Sequence, residues 1–256
     1  MIKERNCQQE IDWLIKEKYP GFSFEEKLTN EMKRDIARIK KGEPIAYVIG
    51  DSRFLNCRID LSLKPSIPRP ETEFWAEKAI AKIKKTKSRK IYCLDIFSGS
   101  GCIGIAVLKH LNNAQVDFAE KDKKLLKQIE ISAKLNNLDP KRYRTIRSDI
   151  FKNITGSYDY IFANPPYVAT SRRNKVQKSV IRFEPARALF GGRDGLLYIR
   201  KFLREAQNHL ANSGKIYLEF DSPQKTAVGK ILRKLGYRHC EFLKDQYGKW
   251  RYLIAG

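Results

Sequence analysis

From residue 90 onward the chain alternates short apolar runs with longer amphipathic ones, and few architectures accept that order. The runs at 91–96, 115–120, 143–147, 158–163 and 215–220 have the length and composition of strands, and helical periodicity fills about 102–111, 122–137, 195–212 and 224–235. Such alternation predicts a parallel sheet with helices on both faces, joined by right-handed crossovers. The end of the chain breaks the pattern. "YRHCEFLKD" and "KWRYLIAG" flank "QYGK", which reads as an antiparallel hairpin closing the sheet. The expectation is an α/β chain built on a mostly parallel, doubly wound sheet.

The first 40 residues differ. Ile11, Leu14, Ile15 and Tyr19 make one apolar helical stripe, and Leu28, Met32, Ile36 and Ile39 make another, with "YPGFS" between them. Gly42 and Pro44 stop the second helix. "AYVIGDSRFLNCRIDLSL" reads as two short strands around a polar turn, and "KPSIPRPETE" as a proline-punctuated linker. A helix opens at Thr72 and runs to about Ile83, and "KIKKTKSRK" reads as its solvated end and a further linker. The chain of 256 residues thus divides into a small helical domain with a β-hairpin, 1–64, and a main domain, 65–256.

Lys and Arg number 51 against 29 Asp and Glu, a formal net charge of +22. That charge fits an acidic or nucleic-acid partner, and equally a solvated basic surface, because it is spread along the chain. The five cysteines (Cys7, Cys57, Cys93, Cys102 and Cys240) form no C-x-x-C pair and have no histidine at metal-ligand spacing, so no metal site is expected. An odd number with two in apolar elements fits a reducing, cytoplasmic setting. No apolar run is long enough to span a membrane.

"CLDIFSGSGCIGIAVL" sets Gly99 and Gly101 between a strand and a helix, where glycines let backbone N–H groups approach a ligand. Gly99 to Gly104 match G-x-G-x-x-G, and Glu120 ends the next strand as a ribose-binding acid would, so NAD has to be weighed. Asp95 argues against it. A carboxylate just before the loop can brace the loop amides and lie near a cationic ligand, whereas NAD would bring a pyrophosphate beside it. S-adenosylmethionine carries a sulfonium and an ammonium. Asp149, at the carboxyl edge after the third strand, can accept from an adenine amine, with Ile150 packing on the ring.

The fourth strand then runs into "NPPY". Two prolines remove two backbone donors and fix two φ angles, which makes a stiff ledge. A planar NH2 group is a poor nucleophile and needs two acceptors in its plane. Asn164 Oδ1 and the Pro165 carbonyl can supply them, Pro166 stiffens the corner, and Tyr167 can flank the planar group. Catalysis is then positioning and electrostatics, with the lone pair aimed at a methyl carbon. The chemistry leaves the substrate open between adenine N6, guanine or cytosine amines, and a glutamine amide.

"GEPIAYVIGDSRFLN…IPRPETE", "LDIFSGSGCIGIA", "FANPPYVA", "FEPARALFGGRDGLLYIR" and "LEFDSPQ" together resemble the HemK/PrmC family, the peptide chain release factor N5-glutamine methyltransferases. The match runs in order from about Gly42 to the C-terminus. It implies the class I S-adenosylmethionine-dependent methyltransferase fold, S-adenosyl-L-methionine as cofactor with S-adenosyl-L-homocysteine as product, and a class 1 release factor as protein substrate, methylated on the glutamine of its Gly-Gly-Gln loop. Carried onto this sequence, the resemblance places Phe97, Ser98, Gly99, Ser100 and Gly101 at the methionine and ribose end, Glu120 on the ribose hydroxyls, and Asp149 with Ile150 at the adenine. Asn164, Pro165, Pro166 and Tyr167 would clamp the glutamine amide. Arg69, Glu71 and Thr72 would close the cofactor pocket, and Glu184 would support the ledge loop. The helical region before "PRPETE" is shorter than the family's, Glu120 replaces an Asp, and Asp221 stands where a Gly is usual. The segment from Tyr167 to Ala188 carries six basic residues and reads as a lid or a solvated loop. The alternative is an amine methyltransferase, N6-adenine or other, acting on RNA or DNA; a non-catalytic cofactor-binding module and a dehydrogenase stand further off.

Overall fold

The structure is a computed structural model that describes residues 7–22, 27–86 and 90–256. Helices α1 (Cys7–Lys18), α2 (Asn30–Lys40) and α3 (Ile45–Ile49) open the chain, followed by the hairpin β1 (Asp51–Phe54) and β2 (Cys57–Asp60) and by α4 (Pro70–Lys84). The main sheet then takes β3 (Ile91–Ile96), β4 (Ala114–Glu120), β5 (Tyr143–Arg147), β6 (Tyr158–Ala163), β7 (Leu210–Glu219), β8 (Cys240–Lys244) and β9 (Trp250–Ala255). Between these strands lie α5 (Cys102–His110), α6 (Lys123–Leu135), the short α7 (Lys178–Phe183) and α8 (Ala186–Leu189), α9 (Leu197–Glu205) and α10 (Lys225–Lys234).

The sheet order is β5-β4-β3-β6-β7-β9-β8. Strands β3 to β7 pair in parallel, and β9 pairs antiparallel with both β7 and β8. The chain builds outward from β3 through β4 to β5, then crosses back to lay β6 on the other side of β3. That reversal opens a crevice at the carboxyl end of β3, where ligands bind in doubly wound sheets. Alternation along each strand splits the core into two layers. Cys93, Phe162 and Tyr217 face α4, α5 and α6, while Leu94, Ile161, Ile216 and Leu218 face α9 and α10. Trp75 of α4 is fully buried and stacks over Phe162, Tyr217 and Tyr252, which seats that helix on the middle of the sheet.

The hairpin, grouped with the N-terminal helices on sequence, packs elsewhere. Phe54, Cys57, Ile59 and Leu61 join the core of the sheet domain, whereas Ile11, Leu14, Ile15, Met32, Ile39 and Val48 form a separate helical cluster. Three side chains spaced four apart, two on α6 and one at its C-cap, serve the edge of β2 and the chain beyond it. Asn136 Oδ1 accepts from Arg58 N at 2.9 Å, Ser132 Oγ from Asp60 N at 3.0 Å, and Gln128 Oε1 from Leu63 N at 2.8 Å. An edge so satisfied is closed to another strand. The hairpin turns on Leu55 and Asn56, both left-handed (φ 46° and 60°), as a two-residue turn of right-twisted strands requires. Leucine is an uncommon residue there, and both its backbone groups are held: N–H by Glu73 Oε1 at 2.6 Å and C=O by His110 Nε2 at 2.7 Å.

Two expected elements change. "AYVI" is helical, not a strand: Tyr47 and Val48 are buried within α3, which stops at the left-handed Gly50. The helix expected over 195–212 is α9 followed by a 3-10 turn at Ala206–His209, and Leu210 already belongs to β7, which pairs with Tyr158 before an irregularity in the register. Of the linker expected in "KIKKTKSRK", residues 87–89 lie outside the described residues, as does Ser23 of "YPGFS". Among the described residues no helix is long and apolar enough to cross a membrane.

Gly104 tests how closely α5 packs on the sheet. A Cβ there would sit 2.3 Å from the buried Phe118 ring. Gly104→Ala is expected to lower the unfolding free energy by about 1–3 kcal/mol, read from urea denaturation, because the overpacked ring has nowhere to go.

Candidate active site

The crevice encloses about 490 Å3. Its floor is the loop after β3, which is wound from unusual backbone: Phe97, Gly99 and Gly101 are all left-handed (φ 60°, 53° and 77°). A phenylalanine in that region needs outside support, and the Phe97 ring packs against Tyr198 and Phe202. Ser98 Oγ donates to the Asp95 carbonyl at 2.6 Å, and Gly101 N to the Ser98 carbonyl at 2.7 Å. Gly101 itself turns away from the crevice, where a Cβ would lie 2.8 Å from Ile129 of α6. It packs against that helix and is not among the residues that line the crevice. Asp95 braces the glycine motif from below and does not line the crevice. Its Oδ2 accepts from Gly104 N at 2.9 Å in the first turn of α5. Burial pushes its carboxyl up to about 8, against the opposing pull of that amide.

One side of the crevice is acidic. Glu120, at the end of β4, accepts from Gly99 N at 3.1 Å and from Asp122 N at 2.9 Å, one bond to each oxygen. Asp149, past β5, pairs with Lys121 at 2.7 Å on the exposed rim. The left-handed Ile150 (φ 57°) beside it is buried and apolar. All three line the wall with Ser98, Gly99 and Ser100.

The ledge after β6 forms the other side. Asn164, Pro165, Pro166 and Tyr167 all face the same cavity as Gly99. Asn164 Nδ2 donates to Thr72 Oγ1 at 3.1 Å, and Tyr167 donates its hydroxyl to Glu219 Oε1 at 2.7 Å. Glu219, at the end of β7, is fully buried and also receives Thr72 Oγ1 at 2.7 Å and Trp75 Nε1 at 2.6 Å. Burial raises its pKa, while these three donors and Arg251 oppose the rise. The backbone of the ledge is gripped from behind by "FGGRDG". Val168 N donates to Leu189 O at 2.9 Å and Gly191 N to Val168 O at 2.9 Å. A Cβ on Gly191 would lie 2.3 Å from Pro166 O, and one on Gly195 would lie 2.1 Å from Tyr167 O. Only glycine permits backbone to rest on backbone so closely.

The rest of the wall is partly as expected. Arg69 and Thr72 line it; Glu71, one residue round the helix from Thr72, does not. Glu184 is also behind the wall. It was expected to support the ledge loop, and its buried carboxylate instead takes Arg69 Nη2 and Ile67 N, tying the proline linker to the chain between α7 and α8. The basic segment is a wall: Val176, Gln177 and Val180 face the crevice, and Arg172 pairs with Asp221 at 2.7 Å. That pair is what the Asp at 221 does in place of a glycine. Sequence reasoning assigned no role to Glu219, Trp75, Tyr198, Lys121, Arg187 or Ser66. For Glu219 a signal existed, since a lone acid inside the apolar "KIYLEF" has to find buried donors. Ser66 lines the cavity, and its buried Oγ has no hydrogen-bond partner among the described residues.

Residues 77–193 match the Methyltransferase small domain family. A protein named release factor glutamine methyltransferase from Thermodesulfovibrio yellowstonii is 34% identical over 256 residues, covering 98% of this chain and 91% of its own. One of the same name from Lactococcus lactis is 34% identical over 242 residues, covering 94% and 86%. Among solved structures, the hMettl16 catalytic domain in complex with MAT2A 3′UTR hairpin 6 superposes with a TM-score of 0.63 at 15% identity, covering 96% of this chain and 91% of that one. The last likeness is one of fold.

The grip on the ledge is directly testable. Gly191→Ala should lower stability by about 1–3 kcal/mol in urea unfolding, since neither backbone neighbour can yield. It should also loosen the wall, seen as faster tryptic cleavage at Arg172 and Arg173.

Proposed function

The chain belongs to the release factor glutamine methyltransferase family, and we propose that it methylates the N5 amide nitrogen of the glutamine in the Gly-Gly-Gln loop of a class 1 release factor, using S-adenosylmethionine. It is a methyltransferase by family and by fold. The crevice suits this cofactor. The left-handed glycine at 99 leaves an open floor, Ser66 Oγ offers an unpaired buried polar atom, and the acidic wall suits a ligand with hydroxyls and positive charge. Phe97, Ser98, Gly99 and Ser100 would hold the methionine and ribose end, Glu120 the ribose hydroxyls, and Asp149 with Ile150 the adenine. Gly101 would act through packing, and Arg69 with Thr72 would close the pocket. When bound, S-adenosylmethionine supplies a methyl group made electrophilic by its sulfonium.

The observation that carries the reading is the ledge. Asn164 Nδ2 is engaged by Thr72, so Oδ1 is the atom with free lone pairs. With the Pro165 carbonyl it makes two acceptors on a stiff corner, matching the two coplanar N–H donors of a carboxamide. Holding both N–H groups fixes the plane of the amide and aims its lone pair across the crevice. Tyr167 flanks it and is itself held by Glu219. Orientation of this kind removes several kcal/mol of barrier (about 7–11 at its largest) without any covalent bond to the enzyme.

The helices before Gly50 are the part of the chain free to recognise the substrate protein. The basic wall segment suits an acidic face on that partner. Cysteines that are all free among the described residues suit a cytoplasmic setting.

Co-expression with a class 1 release factor, followed by mass spectrometry, should find one added methyl on the loop glutamine. Gln→Ala at that position should abolish it, and RNA or DNA alone should remain unlabelled. Label that persists on the Gln→Ala factor would remove the substrate assignment. Asn164→Ala should raise the barrier by about 2–4 kcal/mol, as loss of one preorganised partner does, with cofactor affinity much less affected.

A further inference from the structure

Proton count along a buried relay sets the polarity of the Asn164 amide. Trp75 Nε1 can only donate, and it lies 2.6 Å from Glu219 Oε2. Tyr167 donates to the other oxygen at 2.7 Å. Burial raises the pKa of Glu219, and its three donors and Arg251 on β9 oppose the rise. The geometry decides the direction: Oε2 holds the donor-only indole N–H together with Thr72, and is an acceptor there. Thr72 Oγ1 stands between this acceptor, at 2.7 Å, and Asn164 Nδ2, at 3.1 Å. A hydroxyl has one proton. Directed to Glu219, it leaves only lone pairs facing Asn164. Those receive an N–H and repel a carbonyl oxygen.

We propose that Thr72, backed by Glu219, is a positioning residue that locks the Asn164 carboxamide with Nδ2 inward and Oδ1 toward the substrate. The inference rests on the glutamine-methylating reading and deepens it. The two ends of a carboxamide are nearly equal in shape, so packing alone does not choose between them. Turned by 180°, Asn164 would meet the substrate NH2 with an NH2 of its own, and the in-plane acceptor would be lost. The hydroxyl at Thr72 supplies the choice before substrate arrives. It also explains why a threonine faces the cavity within the first turn of α4, where its hydroxyl is committed to a carboxylate at the end of a strand 147 residues away.

The test is a double-mutant cycle on methyl transfer to the release factor. Thr72→Val keeps shape and removes the hydroxyl. It should lower kcat about tenfold, the effect of one hydrogen bond, with cofactor affinity much less affected because valine still closes the pocket by shape. Thr72→Ser should recover most of that loss. In an Asn164→Ala background, Thr72→Val should cause no further loss, because the group it positions is gone. A Thr72→Val enzyme equal to wild type would overturn the proposal, as would losses that multiply in the double variant. If the wild type leaves the release factor unlabelled, it is the substrate reading that fails. The lock is then judged on the Asn164 side-chain amide resonances in a 15N-labelled sample. They should move in Thr72→Val and hold in Thr72→Ser, and unchanged resonances in Thr72→Val would overturn it.

Discussion

A single buried carboxylate joins three separate pieces of chain. Glu219 ends β7 and takes one donor from the ledge and two from α4, all at 2.6–2.7 Å. Without those donors a charge at that depth would be strongly unfavourable. Without the carboxylate, a tryptophan N–H, a threonine hydroxyl and a tyrosine hydroxyl would be left unpaired in the core, at about 1–3 kcal/mol each. Each side therefore requires the other. The result is that the helix after the proline linker and the corner after β6 are set at a fixed distance, and the cavity lies between them.

The second constraint is close backbone contact. The ledge rests largely on main chain, since Gly191 and Gly195 lie against Pro166 O and Tyr167 O themselves, with Gln224 Nε2 donating to Tyr167 O at 2.8 Å. A stack of main chain on main chain has no rotamers and so little freedom to lose when substrate binds. The topology supplies the remaining order. Because β6 lies beside β3 in parallel, Ala163 pairs with Ile96, and the glycine loop and the ledge leave the sheet at the same level.

Much of this was legible in residue order. The switch from helical to strand periodicity near residue 90 and the hairpin at the end foretold the parallel sheet and its antiparallel edge, because period and length carry that information locally. Local information also misled. Leu210 continues the apolar spacing of α9, yet pairs with Tyr158 of β6; "AYVI" is rich in strand formers, yet buries Val48 with the N-terminal helices. The site divides the same way. "NPPY", the glycine loop, Glu120 and Asp149 meet at one crevice because each follows a strand of the same sheet. The long-range pairs were not legible. Glu184 finds Arg69 across 115 residues and Glu219 finds Trp75 across 144. Nothing in a single sequence marks which buried acid meets which donor, so the partners of Glu184 and Glu219 come from the fold alone. Gly101 and Asp95 show the converse, residues of a binding motif whose visible contacts are with helices.

The account stands on the corner at Asn164 acting as a pair of acceptors for a flat amide. The most direct measurement is a crystal structure of the protein with S-adenosylhomocysteine and a peptide carrying the Gly-Gly-Gln loop. The account predicts the glutamine amide nitrogen within hydrogen-bond distance of both Asn164 Oδ1 and the Pro165 carbonyl, with Asn164 Nδ2 still on Thr72. A glutamine bound elsewhere in the crevice, or an Asn164 side chain rotated off the ledge in the complex, would contradict it.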